Sequence, residues 1–460
     1  MPLPKVPFRR GSRFQVIPRA FIRDPLDFVV RETLRSGDLF RIRLFHRTIH
    51  ISTNLDVIRH VLQANHRNYK KGPLFRHLSL FLGQGLLTSE GDLWRRQRQL
   101  VQPAFYKSQL PGLFGTMTET ALRFCDGLQA RAASGVPLDI TREMMQVTAD
   151  IVLHALFSTT MEKDREEIYQ YVMEAQDYSM YMTTHPWMAP VMHLNGRRRR
   201  IEERRAYFDE WIYRIIEERR RSADRPDDLL TMLVEAQDAE SGQGMSNQQL
   251  RDEAITLFAA GHETSANALS WTLLLLARHP EVRKKLVAEL SSVLGGRPPS
   301  WDDLPRLVYT RQVMEESMRL FPPAHAFGRI AIADDEILGY RIPGGSSVFF
   351  SVYALHRNPE FWPDPERFDP ERFAPDREKE RPKLAYMPFG AGPRMCIGNH
   401  FAQVEIQLLL ALLLQRFEFE LVPGQEIVPQ PLVTLKPRDG ILMKINRSHA
   451  DHNSSLKNTL

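Results

Sequence analysis

Phe389-Gly390-Ala391-Gly392-Pro393-Arg394-Met395-Cys396-Ile397-Gly398 is the stretch that decides how this chain folds. Its glycines let the backbone turn tightly and come close to a flat partner. Arg394 places a positive charge two residues before the cysteine. A helix is predicted just beyond, with Phe401, Val404, Ile406 and Leu410 as its apolar side. A thiol at a helix N-terminus beside an arginine is pushed toward the thiolate. Such a thiolate suits a nucleophile, a redox sensor or a metal ligand; the plain alternative is a buried structural cysteine.

The chain around this loop has 460 residues, 43% hydrophobic and 25% charged, a globular composition with enough length to bury a large core. Against 56 acidic residues stand 61 Lys and Arg, a formal charge of only +5. No basic stripe interleaved with aromatics is present, so no nucleic-acid partner is expected, and the excess fits a local docking patch. Two cysteines, Cys125 and Cys396, exclude a disulfide framework, zinc ribbons and Cys-rich iron–sulfur sites, and fit a reducing compartment. Cys125, between Leu122 and Leu128 in an amphipathic pattern, reads as an inert buried thiol. Cys396 and His400 at i, i+4 are two ligands, too few for a zinc or copper site. The first residues carry no apolar targeting stretch, and Leu408 to Leu414 falls short of the ~20 residues of a membrane span. The expectation is a cytoplasmic protein with no integral membrane anchor.

Most of the chain reads as helix. Ile201, Phe208, Trp211, Ile212 and Ile215 recur among alternating Arg and Glu, an amphipathic helix whose start, Arg197 to Arg200, is solvated. Ser246 and Gln249 form a capping box that opens a helix running to Arg278, before Pro280. At 1.5 Å per residue it is roughly 50 Å long. Phe40, Ile42 and Leu44 alternate with Arg41 and Arg43, and Ile49 and Ile51 follow, which predicts a hairpin. Breaks at Asp238 to Gly244, Gly295 to Ser300 and Ala374 to Lys383 are too short for linkers, and the tail from Ser448 is polar and expected to be disordered. The predicted class is mainly α with a minor β-sheet, as one domain over residues 1–460.

The pattern F-x-x-G-x-R-x-C-x-G, complete in Phe389 to Gly398, resembles the haem-binding loop of the cytochrome P-450 family. Three further segments agree with it in order. Glu316 and Arg319 share a helix face at i, i+3 and resemble the family's E-x-x-R helix. Arg372, preferred over Arg367 for its closer spacing to the loop, matches the third member of a structural Glu–Arg–Arg network. Ala260-Gly261-His262-Glu263-Thr264-Ser265 resembles the acid–alcohol pair of the central helix, Glu263 and Thr264 guiding protons toward dioxygen. Small residues there leave room for a cofactor, and His262 reads as a packing or hydrogen-bonding residue. A mid-helix Thr otherwise bonds back to a carbonyl one turn earlier. Trp94 and Arg98, at i, i+4, resemble the W-x-x-x-R pair that contacts a haem propionate; Arg329 and Arg394 match the other propionate positions.

The resemblance implies the cytochrome P-450 fold, with a long central helix over the haem. It implies haem b with Cys396 as the iron's thiolate ligand and Phe389 packed near the sulfur. The activity implied is a monooxygenase that inserts one atom of O2 into a lipophilic fatty acid, terpenoid, steroid or macrolide-like substrate. Leu87, Ala260, Ala324 and Ala326 match distal-pocket positions and suggest a roomy apolar cavity. Met180, Tyr181, Met182, Trp187, Met188, Met192 and Leu194 resemble an access lid. With no flavin or iron–sulfur segment after Ile445, electrons are expected from a ferredoxin or flavodoxin with its NAD(P)H reductase, docking near Arg95 and Arg96. The alternatives are a haem-thiolate peroxygenase or isomerase, which usually depart from the acid–alcohol pair, and a non-catalytic haem sensor, which has no need of Thr264.

Overall fold

The computed structural model describes residues 3–8, 23–37, 39–44, 47–158, 165–188, 196–239 and 241–448. Met192, Leu194 and the tail from residue 449 lie outside the described residues. The chain divides into two compact units, one of Pro73–Met314, Ile397–Leu432 and Pro437–Leu460, the other of Met1–Gly72, Glu315–Cys396 and Val433–Lys436.

The larger unit is helical. Its main members are α1 (Pro73–Leu82), α2 (Gly91–Val101), α3 (Leu110–Ala132), α4 (Ile140–Phe157), α5 (Arg165–Thr184), α6 (Arg197–Arg221), α7 (Asn247–Arg278) and α8 (Asn399–Arg416). The expected capping box starts α7: Gln249 N–H donates to the Ser246 hydroxyl at 3.2 Å, and Ser246 N–H to the Gln249 side chain at 3.0 Å. From Leu250 to Leu276 every residue of α7 is buried except Ala260, Gly261 and Thr264. A helix covered on nearly all sides has no amphipathic stripe, so this narrow opening is the feature that needs explaining. Gly261 itself faces α4, where an added Cβ would come 3.2 Å from a Val152 methyl. Its smallness therefore serves helix packing, and it is Ala260 that leaves the face open.

On α6, Ile201, Phe208, Trp211 and Ile212 are buried as the periodicity predicts, but the next buried position is Ile216 while Ile215 is half-buried. The step of four from Ile212 keeps the stripe facing inward. Arg198 and Arg199 pair with Glu202 and Glu203 at 2.8 Å, which makes the arginine run a solvated, salt-bridged face. Cys125 is buried in α3, and burial pushes its thiol up to about 12. Leu408 to Leu414 are all buried in α8. Among the described residues no helix is long and apolar enough to cross a membrane.

The smaller unit holds a five-stranded sheet of β1 (Leu39–Leu44), β2 (Arg47–Ser52), β3 (Tyr69–Lys71), β4 (Ala326–Ala331) and β5 (Ser347–Ser351), ordered β1-β2-β5-β4-β3. The predicted hairpin is β1–β2, with Leu39 opposite Ser52. β2 pairs in parallel with β5, and β4 antiparallel with it, Ala326 opposite Ser351. Phe40, Ile51, Val348 and Phe350 are buried core residues of this unit. The segment from Ala374 to Lys383, expected as a plain break, contains a helix at Pro375–Glu380. Proline at its first position and an acidic first turn followed by basic residues favour that short helix.

Candidate active site

In the smaller unit the Cys396 loop is closed by its own backbone. Cys396 N–H donates to the Phe389 carbonyl at 2.9 Å, Met395 N–H to Gly392 at 3.0 Å, and Gly390 N–H to Met387 at 3.0 Å. Gly390 and Gly392 hold φ of 77° and 74°, the left-handed region, and a Cβ on Gly392 would overlap the Leu62 carbonyl. Glycine is obligatory there. The closure leaves the Cys396 thiol exposed, in contrast to buried Cys125.

Behind the loop lies a buried ionic network. The Arg319 guanidinium forks onto Glu316, with Nε to Oε2 at 2.6 Å and Nη2 to Oε1 at 2.8 Å, both side chains fully buried. Arg372 Nε stands 3.4 Å from the same carboxylate, and Asp369 N–H donates to it at 2.9 Å. From Arg367 it is the main-chain carbonyl that takes part, accepting from Arg319 at 3.1 Å. Burial outweighs these partners and raises the Glu316 carboxyl above its ordinary range.

Sequence reasoning missed His356, which links network and loop. Arg319 Nη1 donates to the His356 carbonyl at 2.8 Å, and Met387 N–H donates to His356 Nε2 at 3.0 Å. Burial and the nearby Arg319 charge hold this imidazole far below its ordinary titration range. A neutral ring accepting at Nε2 carries its proton on Nδ1, which faces the Arg319 carbonyl at 3.3 Å. Tyr386 stacks on it at 5.2 Å. The only sequence signal was a histidine at the end of the apolar run Val352 to Leu355, which alone implies nothing.

In the larger unit, Thr264 and Ala260 form the open strip of α7, and the Thr264 hydroxyl donates to the Ala260 carbonyl at 2.8 Å. Its donor is used within the helix while its oxygen keeps acceptor capacity. Glu263 points into the buried side. His262 is fully buried, with Nδ1 2.7 Å from the Phe258 carbonyl, and burial lowers it to about 4; it is a packing residue. A second missed group is Glu405 on α8, fully buried beside Ser265, whose carboxyl burial pushes up to about 8.

Trp94 and Arg98 lie one turn apart on α2, Arg98 Nε donating to Gln102 at 3.1 Å. Arg329 is half-buried on β4, its Nη1 on the Gly328 carbonyl at 2.9 Å, and Arg394 is half-buried two residues before Cys396. Leu87 is half-buried in the larger unit; Ala324 and Ala326 are half-buried in the smaller one. On α5 Met180 and Tyr181 are half-buried and Met182 buried, and in the short turn Pro186–Met188 beyond it Trp187 is exposed and Met188 half-buried. Among the described residues no group of three or more His, Cys, Asp or Glu could hold a metal ion.

The family model described as Cytochrome P450 matches residues 12–445. Cyclooctatin synthase of Streptomyces melanosporofaciens is 37% identical over 90% of this chain and 89% of its own length. Cyclooctat-9-en-7-ol 5-monooxygenase of the same organism is 34% identical, covering 92% of each. Pentalenene oxygenase of Streptomyces avermitilis is 33% identical over 90% of this chain and 91% of its own. Among solved structures, the cytochrome P450DA heme domain superposes with a TM-score of 0.85 at 25% identity, covering 98% of this chain and 99% of that one.

Proposed function

The chain belongs to the cytochrome P450 family, and on that premise we propose that it oxidises a terpenoid-class substrate, with Cys396 as the thiolate ligand of its haem iron. The observation that carries the assignment is the exposed Cys396 thiol on a loop that closes on itself at two left-handed glycines. Features of each unit by itself fit a haem: in the smaller unit an exposed sulfur donor on a loop closed at two glycines, and in the larger unit an α7 face left open at Ala260 and Thr264. When bound, the haem supplies the activation of dioxygen for insertion of one oxygen atom into the substrate.

The chain's own residues perform the rest. Arg394 places a positive charge beside Cys396, and Phe389 packs near the sulfur. The haem propionates would be held through charge-assisted bonds by Arg98 with Trp94 from the larger unit and by Arg329 and Arg394 from the smaller. Thr264 accepts and passes a proton at its hydroxyl oxygen, with Glu263 as the acid behind it. Glu316, Arg319 and Arg372 keep the loop in place and take no part in the chemistry. Leu87 and Ala260 in the larger unit, and Ala324 and Ala326 in the smaller, are aliphatic substrate contacts in this reading, which suits a hydrocarbon skeleton that needs positioning by shape. The terpenoid class is favoured by the names of two relatives, a cyclooctat-9-en-7-ol 5-monooxygenase and a pentalenene oxygenase.

Electrons come from a separate redox protein, for which we favour an acidic ferredoxin or a flavodoxin with its NAD(P)H reductase, on a cytoplasmic, single-domain catalyst. Arg95 and Arg96 on α2 are the proposed docking charges. Arg95 is exposed, though shared with Asp92 at 2.9 Å.

The test is spectroscopic. Cys396→Ser should abolish the red-shifted carbon monoxide band of the reduced protein, and Cys125→Ser should keep it. A normal band in Cys396→Ser removes the assignment. NADPH-dependent turnover of diterpene and sesquiterpene alcohols with a surrogate ferredoxin, set against hydrogen peroxide alone, separates a monooxygenase from a peroxygenase.

A further inference from the structure

Arg251 is among the most deeply buried charges of the larger unit, and none of the motifs above uses it. Its Nε donates to Asp209 of α6 at 2.6 Å and its Nη1 to Asp252 at 3.0 Å. Its Nη2 lies 3.4 Å from the Phe81 carbonyl at the end of α1, and Tyr171 of α5 donates to that carbonyl. One guanidinium therefore ties α6 and α7 together and reaches the end of α1.

The second carboxyl oxygen of Asp252 faces the loop between α1 and α2, accepting from Gln84 N–H at 2.7 Å. One residue on, Glu253 accepts from Leu86 N–H at 3.0 Å. The loop is pressed hard against α7. A Cβ on Gly83 would overlap the Asp252 carboxylate, and one on Gly85 the Thr256 hydroxyl. The next residue after Leu86 is Leu87.

We propose that Arg251 is a positioning residue for substrate selection: by bridging Asp209 to Asp252 it sets the seat of the Gly83–Leu87 loop on α7, and so the position of the Leu87 side chain. The inference rests on Leu87 lining the substrate pocket. It deepens that reading by naming what holds the wall and by coupling the wall to α6. A structural ion pair alone changes stability; a positioning pair also changes which ligands fit.

The experiment uses the haem-loaded full chain and two iron-binding probes, imidazole and the bulky clotrimazole, titrated by their spectral shifts. Arg251→Ala and Asp209→Asn should each change the ratio of the two dissociation constants by about tenfold, chiefly through clotrimazole. Arg251→Lys, which keeps the charge and loses the fork, should fall between these and the unmodified protein. Asp228→Asn breaks another buried pair on α6, Arg219–Asp228 at 2.6 Å, and should lower thermal stability with the ratio unchanged. If Arg251→Ala yields no haem-loaded protein, Arg251→Lys and Asp209→Asn decide. An unchanged ratio in both Asp209→Asn and Arg251→Lys overturns the proposal, as does an equal change in Asp228→Asn. Leu87→Phe separates the two layers. A shift there with none in the bridge variants sinks the bridge and keeps the pocket reading. A shift in the bridge variants with none in Leu87→Phe keeps Arg251 as the loop's anchor and removes Leu87 from the wall.

Discussion

A carboxyl group sealed inside a helical unit reports on pH more sharply than any surface acid. Glu405 has its pKa raised from 4.5 to about 8, first by burial, with Ser265 offsetting a little. The folded state therefore holds the proton more tightly than the unfolded one. The stabilising protonated form is fully present below about pH 4.5, and its contribution is lost as pH rises toward 8. Each tenfold difference in proton affinity between the two states is worth about 1.4 kcal/mol, so the loss across that window is on the order of a few kcal/mol. Glu405→Gln should be more thermally stable than the unmodified protein at pH 8.5, with the gap closing toward pH 5. Parallel melting curves across this range would contradict the burial argument. Thr264 poses a different question at the same scale. Both its place in the motif and the back-bond it makes to the Ala260 carbonyl were legible from sequence. Thr264→Ala removes an acceptor on the open face of α7 and only one helix back-bond, so haem and substrate should still bind. General acid assistance commonly contributes about 10²–10⁴-fold, and its loss should send most reducing equivalents to peroxide. Product and peroxide measured per NADPH consumed decide this, and unchanged coupling would leave Thr264 a helix residue only.

Single elements were legible where their signals are local. The capping box at Ser246 started α7 where expected, and the alternation from Phe40 to Ile51 gave the hairpin, because neighbouring residues carry both patterns. The parallel pairing of Ile49 with Ser347 was out of reach, since no periodicity links residues so distant in sequence. His356 was hidden for the same reason: its value lies in two hydrogen bonds to segments on either side of it in the chain. This contact chain predicts a graded response. Glu316→Ala leaves Arg319 as a buried charge without its fork, which commonly costs ~3–5 kcal/mol, and little haem-loaded protein should accumulate. His356→Phe keeps the ring's bulk between Tyr386 and Trp362 but removes the acceptor for Met387 N–H, a loss of about 1–3 kcal/mol. This variant should load haem, then lose its red-shifted carbon monoxide band at a lower temperature than the unmodified protein. The band measured during slow heating tests it, and identical loss curves would show that His356 does not support the loop.

For the molecule as a whole, the reaction class was legible because four short motifs, spread from Trp94 to Gly398, each carry a distinct chemical demand. The substrate was not, because the residues proposed to contact it are small or aliphatic, and apolar side chains discriminate by shape, which one-dimensional patterns do not encode. Charge is the other property that exists only at this scale. The net charge of +5 is modest, so any attraction for an acidic redox protein must come from where the arginines lie. On α2, Arg95 is exposed and held to Asp92, while Arg96 is half-buried with its Nε unpartnered. An exposed pair of this kind contributes little to stability, which leaves Arg95 free to turn toward a carboxylate on a partner. Surface attraction decays over a Debye length of about 8 Å at physiological ionic strength and about 3 Å at 1 M. The rate of reduction by an acidic ferredoxin should therefore fall steeply with added salt. Arg95→Glu should slow it further at low salt, while changing little near 1 M, where the attraction is already screened. Substrate affinity and the carbon monoxide band should be untouched, because the change alters encounter and leaves the haem site intact. Stopped-flow reduction at several salt concentrations is the measurement. A rate indifferent to both salt and Arg95→Glu would move the docking surface away from α2.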